Sequence, residues 1–280
     1  MKKSKVGILL VLLLLIGVGI MIYPAVSQYW NYKTQSRIIE NYQDVIDSLS
    51  DGEFDDCFVD AEKYNEELFN LDDPFYDYDE LLNYNDTLNI SGVGIMGYIT
   101  IEKLNVELPI YHGTSSDILN VACGHVEGSS LPVGGKNSHC VLSAHRGLPR
   151  AKLFTDLDKM ENGDTFTITV LNRTLTYQVD RISVVNPDEL DELVIEEGQD
   201  RCTLLTCTPY GINSHRLLVR GTRIENAKPV IYVISDAYKI DSLVATPVVA
   251  APILLVLLIW LLIKYRHKGS KPLISELEEE

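Results

Sequence analysis

Cys202-Thr203-Leu204-Leu205-Thr206-Cys207-Thr208-Pro209 reads as a β-strand, Cys202 to Cys207, that ends on a thiol. Leu and β-branched Thr suit a pleated, half-buried surface, and Pro209 cannot donate to a ladder, so the strand stops there. Arg216 follows nine positions after Cys207, at the head of a second apolar run, Arg216 to Arg223. The residues between are rich in Pro, Tyr, Gly and Asn, which places the two runs on neighbouring antiparallel strands. Upstream, Ile95 to Ile101, Val106 to Tyr111, Cys140 to Ala144, Thr165 to Val170 and Leu175 to Asp180 are further short runs of the same kind. Val133-Gly134-Gly135 and Glu161-Asn162-Gly163-Asp164 are turn signals, and Leu171-Asn172-Arg173 joins two runs as a hairpin. Many short strands at this spacing predict one β-barrel or sandwich of about 130 residues. One amphipathic helix is expected from Ala151 to Met160.

Before Gly94 the periodicity is helical. Ile38, Tyr42, Val45, Ile46 and Leu49 form one stripe, and a second helix is expected over Phe54 to Phe69. Leu71-Asp72-Asp73-Pro74-Phe75-Tyr76-Asp77-Tyr78-Asp79 follows. Pro74 pushes Asp73 towards an extended conformation, so this stretch is expected to be an irregular acidic and aromatic loop.

The chain has 280 residues, and both ends are apolar. Val6 to Tyr23 gives 18 uncharged residues and Leu243 to Ile263 gives 21. As helices they span about 27 Å and about 31 Å, close to the hydrocarbon thickness of a bilayer. Lys2, Lys3 and Lys5 precede the first, and Lys264, Arg266 and Lys268 follow the second. Excess cations mark the cytoplasmic side, so both termini are expected inside and residues 24–242 outside. A cleaved signal peptide is the rival reading of the first segment, since Ala25-Val26-Ser27 resembles a cleavage site. Either reading exports the middle of the chain.

The exported part holds 17 of the 24 Lys and Arg and 36 of the 40 Asp and Glu, a net charge of −19. That sign disfavours nucleic acid and anionic surfaces and leaves solubility, or a cationic partner, as its meaning. All five cysteines, Cys57, Cys123, Cys140, Cys202 and Cys207, lie in this part. An odd count leaves at least one thiol unpaired within a monomer. With no CxxC pair a structural zinc site is not expected, and neither a metal nor any other cofactor is called for. Cys202 stands at an odd offset from Cys207 and so faces the other way; with Cys123 and Cys140 it reads as core, although export permits a disulfide among them.

Val141-Leu142-Ser143-Ala144-His145-Arg146-Gly147-Leu148-Pro149 is an apolar strand running into a polar loop that opens with His145. A thiol, a histidine and an arginine, each at a strand end, suit acyl transfer. The thiolate is the nucleophile, the imidazole moves the proton, and the guanidinium offers fixed donors to a developing oxyanion. His215 precedes Arg216 and faces the other way on a strand, so it reads as structural; His125 and His139 show no metal spacing.

Thr203-Leu204-Leu205-Thr206-Cys207 resembles the TLxTC signature of sortases, and the segment around His145 and the position of Arg216 fit the same family. The resemblance runs from Gly94 to Ile224. The second membrane segment and Asp73-Pro74-Phe75, similar to a DP-aromatic lid motif, resemble class C, the pilin-polymerising sortases. The resemblance implies a mainly β fold: a closed barrel with short helices, an N-terminal helical and lid extension, and two flanking transmembrane helices. The implied organisation is a cytoplasmic N-terminus (1–5), an anchor or signal peptide (6–23), an extracytoplasmic helical region (24–71), a lid loop (72–82), the catalytic barrel (83–228), a linker (229–242), a transmembrane helix (243–263) and a cytoplasmic tail (264–280). It further implies Cys207 as nucleophile, His145 as acid and base, Arg216 as transition-state donor, and Asp73 and Phe75 as lid residues over the site, with the Asp73 carboxylate able to pair with Arg216. The implied substrate is an LPxTG-like sorting signal cut between Thr and Gly, and the acceptor a pilin lysine, in a Gram-positive bacterium. The alternatives are a cell-wall-anchoring sortase with a peptidoglycan amine acceptor, and a membrane-tethered binding module with a structural cysteine.

Overall fold

The structure, a computed structural model, describes residues 2–148, 151–226, 250, 252–256 and 259–260. Two compact units divide the chain, one of residues 1–27 with 233–280 and one of residues 28–232. In the first, the described residues are helical. They include the apolar start of helix α1 (Lys2–Asp47), the one described helix long and apolar enough to cross a membrane. Most of the second expected membrane segment, 243–263, lies outside the described residues; Ala250, Pro252–Val256, Ile259 and Trp260 within it are helical.

In the second unit, α1 continues to Asp47, and α2 (Asp51–Phe69) begins after Ser50. The Glu53 carboxylate accepts the Ser50 N–H and hydroxyl, both at 2.8 Å, which satisfies donors at the helix start. Phe54, Phe58, Ala61, Tyr64 and Leu68 recur at helical spacing and are buried. The helices are tied to the barrel by polar contacts as well as apolar ones. The Tyr42 hydroxyl donates to the Met96 carbonyl at 2.8 Å and accepts the Leu171 N–H at 3.0 Å. Asn65 exchanges both hydrogen bonds with the Leu131 backbone. The Arg173 guanidinium lies 3.6 Å above the Phe58 ring.

The expected irregular loop after α2 is instead a one-turn helix, α3 (Pro74–Asp77), followed by a 3₁₀ turn, Tyr78–Glu80. Pro74 starts this turn; at a first helical position its missing N–H has no partner to lose.

The strands are β1 (Ile95–Ile101), β2 (Val106–His112), β3 (Cys123–His125), β4 (Ser138–Ser143), β5 (Thr165–Val170), β6 (Arg173–Val185), β7 (Asp200–Thr208) and β8 (His215–Ile224). A short helix, α4 (Ser116–Leu119), precedes β3. The strands close as a barrel in the order β1-β2-β3-β4-β7-β8-β6-β5. The β2–β3 and β4–β7 pairs are parallel and the rest antiparallel. Alternation decides the faces: Cys202, Leu204 and Thr206 point inward on β7, so Thr203, Leu205 and Cys207 point outward.

The helix expected from Ala151 to Met160 is absent; this segment forms only a 3₁₀ turn, Leu157–Lys159. Its apolar residues Ala151, Leu153, Phe154, Leu157 and Met160 are buried as expected. Leu153 is left-handed, with φ 41°, which a continuous helix cannot accommodate.

Candidate active site

The register of β7 against β8 sets Cys207 directly opposite Arg216. Directly opposed residues point to the same face with Cβ atoms about 5 Å apart. On the other side of β7, β4 runs parallel and pairs Val141 with Thr203 and Ser143 with Leu205. Two bonds carry that register past the end of β4: Ala144 N–H donates to the Leu205 carbonyl at 3.2 Å, and the Thr206 hydroxyl donates to the Ala144 carbonyl at 2.8 Å. His145 therefore leaves the sheet beside Thr206 and Cys207. Cys207, His145 and Arg216 are all half-buried. The Arg216 Nη1 reaches only backbone carbonyls, His215 at 3.2 Å and Asn213 at 3.4 Å, so its carboxylate-binding fork carries no acidic partner among the described residues.

An apolar floor adjoins these three on the outer face of the barrel. Val141, Val185, Leu193 and Leu218 form a buried cluster separate from the main core, with Phe75, Val126, Leu190 and Leu205 packed on it. Leu205 lies two positions before Cys207 and Leu218 two after Arg216, so the floor and the site share one face. Phe75 sits on this floor. Gly128, at φ +82°, makes the approach possible, since a Cβ there would stand 2.8 Å from the Phe75 Cα. Asp73 is exposed and starts α3, its carbonyl accepting the Tyr76 and Asp77 N–H groups. The expected pair between Asp73 and Arg216 is not formed: among the described residues no ion pair involves the Asp73 carboxylate. The structure thus brings Cys207, Arg216 and Phe75 to one face, with His145 in the segment that leaves β4 beside them, and leaves Asp73 at the start of the turn that carries Phe75.

A Sortase domain profile matches residues 99–224. The crystal structure of sortase C1 from Streptococcus agalactiae is 47% identical, with a TM-score of 0.64, and the match covers 68% of this chain and all of that one. The chain belongs to the sortase family. It is an enzyme of that family's kind, a cysteine transpeptidase. The sortase is also similar to sortase C of Streptococcus pneumoniae, at 43% identity and a TM-score of 0.62, over 69% of this chain and 100% of that one. Sortase A of Bacillus anthracis is 27% identical over 221 residues, 79% of this chain and 96% of its own. Solved structures similar to this sortase include several class C sortases.

Three of the sortase's other cysteines are less accessible than Cys207. All five thiols are free. Cys123, Cys140 and Cys202 are buried as core residues, and burial pushes the Cys123 and Cys202 thiols well up. Cys57 is half-buried on α2, and burial first, then the carboxylates of Asp60, Asp56 and Glu53, push its thiol up. His215 is exposed and hydrogen-bonded to the Ser214 hydroxyl at 2.8 Å. His125 is a buried structural residue, between the Tyr84 hydroxyl and the Ser130 carbonyl. His139 is buried too, held by the Val194 carbonyl at 3.0 Å and the Thr203 hydroxyl at 2.7 Å, and burial lowers its pKa to about 4. It is neutral and braces the segment that carries Leu193. No group of metal-ligating side chains occurs among the described residues. Sequence patterns do not single out the floor, whose Val141, Val185, Leu205 and Leu218 are outward positions of four strands and whose Leu193 lies between β6 and β7, nor Arg146 beside His145.

Proposed function

We propose that this sortase cleaves an LPxTG-like sorting signal between Thr and Gly and passes the acyl group to a lysine amine of a pilin subunit. The observation that supports it most is the register that opposes Cys207 and Arg216 beside the exit of β4, above an apolar floor. The Cys207 thiolate attacks the Thr carbonyl carbon, and Arg216 donates hydrogen bonds to the oxyanion as it forms. His145 gives a proton to the Gly nitrogen as the peptide bond breaks, leaving a thioester on Cys207. A lysine amine then attacks the thioester, His145 takes its proton, and the thiolate leaves. The floor takes the apolar residues of the signal. Phe75 occupies that floor in the free enzyme, so Asp73 and Phe75 act as a lid that substrate displaces.

The pilin assignment rests on the class C likenesses, one of which, the pneumococcal enzyme, is described in terms of pilin substrate specificity. The apolar N-terminal helix anchors the enzyme, with its catalytic barrel outside the cell and both termini in the cytoplasm. The experiment is a transpeptidation assay with a sorting peptide and two competing acceptors, a pilin-derived lysine peptide and a peptidoglycan cross-bridge amine. A predominantly lysine-linked product is expected. Exclusive transfer to the cross-bridge amine would assign a cell-wall-anchoring role instead.

A further inference from the structure

Arg146 is the most buried cation near the site, with a side chain 8% exposed. It follows His145 directly, and its guanidinium reaches two other segments. Nη1 donates to the Thr208 hydroxyl at 3.3 Å, and Nη2 pairs with the Asp158 carboxylate. Thr208 is the residue after Cys207. One side chain thus joins the segment that carries the histidine to the segment that carries the thiol, and anchors both to the 3₁₀ turn Leu157–Lys159. Two further bonds stitch the histidine segment to the residues just before that turn. The His145 carbonyl accepts the Phe154 N–H at 3.2 Å, and the Gly147 N–H donates to the Thr155 hydroxyl at 3.1 Å. A Cβ at Gly147 would lie 3.0 Å from the Tyr210 ring, so the loops after β4 and after β7 touch.

Stability alone is a poor account of this arginine. Its Nε is buried with no partner among the described residues, and its ion pair is with Asp158, whose side chain is 47% exposed, a setting in which such pairs add little stability. A planar fork that grips two partners at once is, however, well suited to fixing a distance. His145 leaves the sheet at the end of β4, where among the described residues the last bonds to β7 before that of Arg146 are the two at Ala144.

We propose that Arg146 is a positioning residue for acyl transfer, holding His145 and Cys207 in register through Thr208 and Asp158. The inference rests on the reading of Cys207 and His145 given above. Displacing a catalytic group by about 1 Å costs on the order of 100-fold in rate. The test measures kcat and KM for a fluorogenic sorting peptide, per folded molecule, in the full-length enzyme. The variants are Arg146→Gln, Arg146→Lys, Thr208→Val, Asp158→Asn, Arg146→Gln with Thr208→Val, and Cys207→Ala. Arg146→Gln should lower kcat about 100-fold with KM within about threefold, and Arg146→Lys should recover only part of the loss because it lacks the fork. Thr208→Val and Asp158→Asn each remove one end of the tie and should lower kcat about 5- to 10-fold, and the Arg146/Thr208 double variant should be no slower than Arg146→Gln. Should Arg146→Gln fail to fold, the two single-end variants carry the test. Values of kcat within twofold of wild type in every folded variant, or losses that multiply as independent effects in the double variant, would overturn the inference. Cys207→Ala separates the two claims: its inactivity keeps the nucleophile assignment whatever Arg146 does, and its activity would remove both.

Discussion

At the scale of the residue, the site depends on which side chains a strand register brings together. Cys207 opposes Arg216, and alternation keeps His215 and Thr206 off that face. Arg216 has no acidic partner among the described residues, its Nη1 donating only to the Asn213 and His215 carbonyls. Arg216→Lys keeps the charge and loses the fork; it should fold, and lower kcat on a sorting peptide by on the order of 10²–10³. Turnover near wild type in that variant would mean that charge alone suffices at this position. His139 offers a separate check on pH. Its pKa falls from 6.5 free to about 4 folded, because burial disfavours the imidazolium. The unfolded chain then binds the extra proton between those values, so this group's contribution to stability is full above about pH 6.5 and is lost as pH falls towards 4. The penalty is on the order of 2 kcal/mol at pH 5. The melting temperature of His139→Gln should therefore fall less between pH 7 and pH 5 than that of the wild type; parallel falls would show that His139 is not the neutral brace described.

At the scale of the element, the decisive piece is the turn that carries Phe75. Phe75 packs against the cluster of Val141, Val185, Leu193 and Leu218, the floor beside Cys207, and Gly128 permits the approach. Phe75→Ala should uncover the floor, raise the rate at which a thiol reagent labels Cys207, and lower the melting temperature slightly. The labelling is best read with Cys57 replaced by Ser, since Cys57 is the other half-buried thiol. An unchanged rate would separate α3 from control of the site. Most barrel strands are legible because period-two alternation and turn residues mark them: the expected bounds of β1 and β5 match to the residue and those of β7 and β8 within two residues at each end, while β6 runs on to Val185, past the expected Asp180. Three elements are not. β3 has only three residues, too few to show a period. The apolar spacing over Ala151–Met160 is helical in pattern, but Leu153 turns left-handed and the apolar residues reach the core from a loop. Pro74 starts a helical turn where its residue type alone suggests a break, a distinction set by position. The Asp73–Arg216 pair failed for a related reason: sequence can propose that two charges meet, but only the path of the intervening chain decides it.

At the scale of the whole molecule, an acidic domain with a net charge of −19 is joined to a long apolar helix that begins at the lysine-rich start of the chain. Placing single cysteines near residue 4 and in the 264–280 tail, and labelling intact cells with an impermeant thiol reagent, tests the topology. Both positions should be protected until the membrane is permeabilised. A C-terminus labelled from outside would contradict the two-anchor arrangement while leaving the barrel's chemistry untouched.

The chemistry has its own direct measurement. If Cys207 carries the acyl group between donor and acceptor, as proposed, the enzyme incubated with an LPxTG-type peptide and no acceptor should be captured as a thioester. Intact mass spectrometry with peptide mapping should find the mass of the peptide's acyl fragment on Cys207, lose it on addition of hydroxylamine, and find none in Cys207→Ala. An adduct on another cysteine, or one that persists in Cys207→Ala, would contradict the central claim.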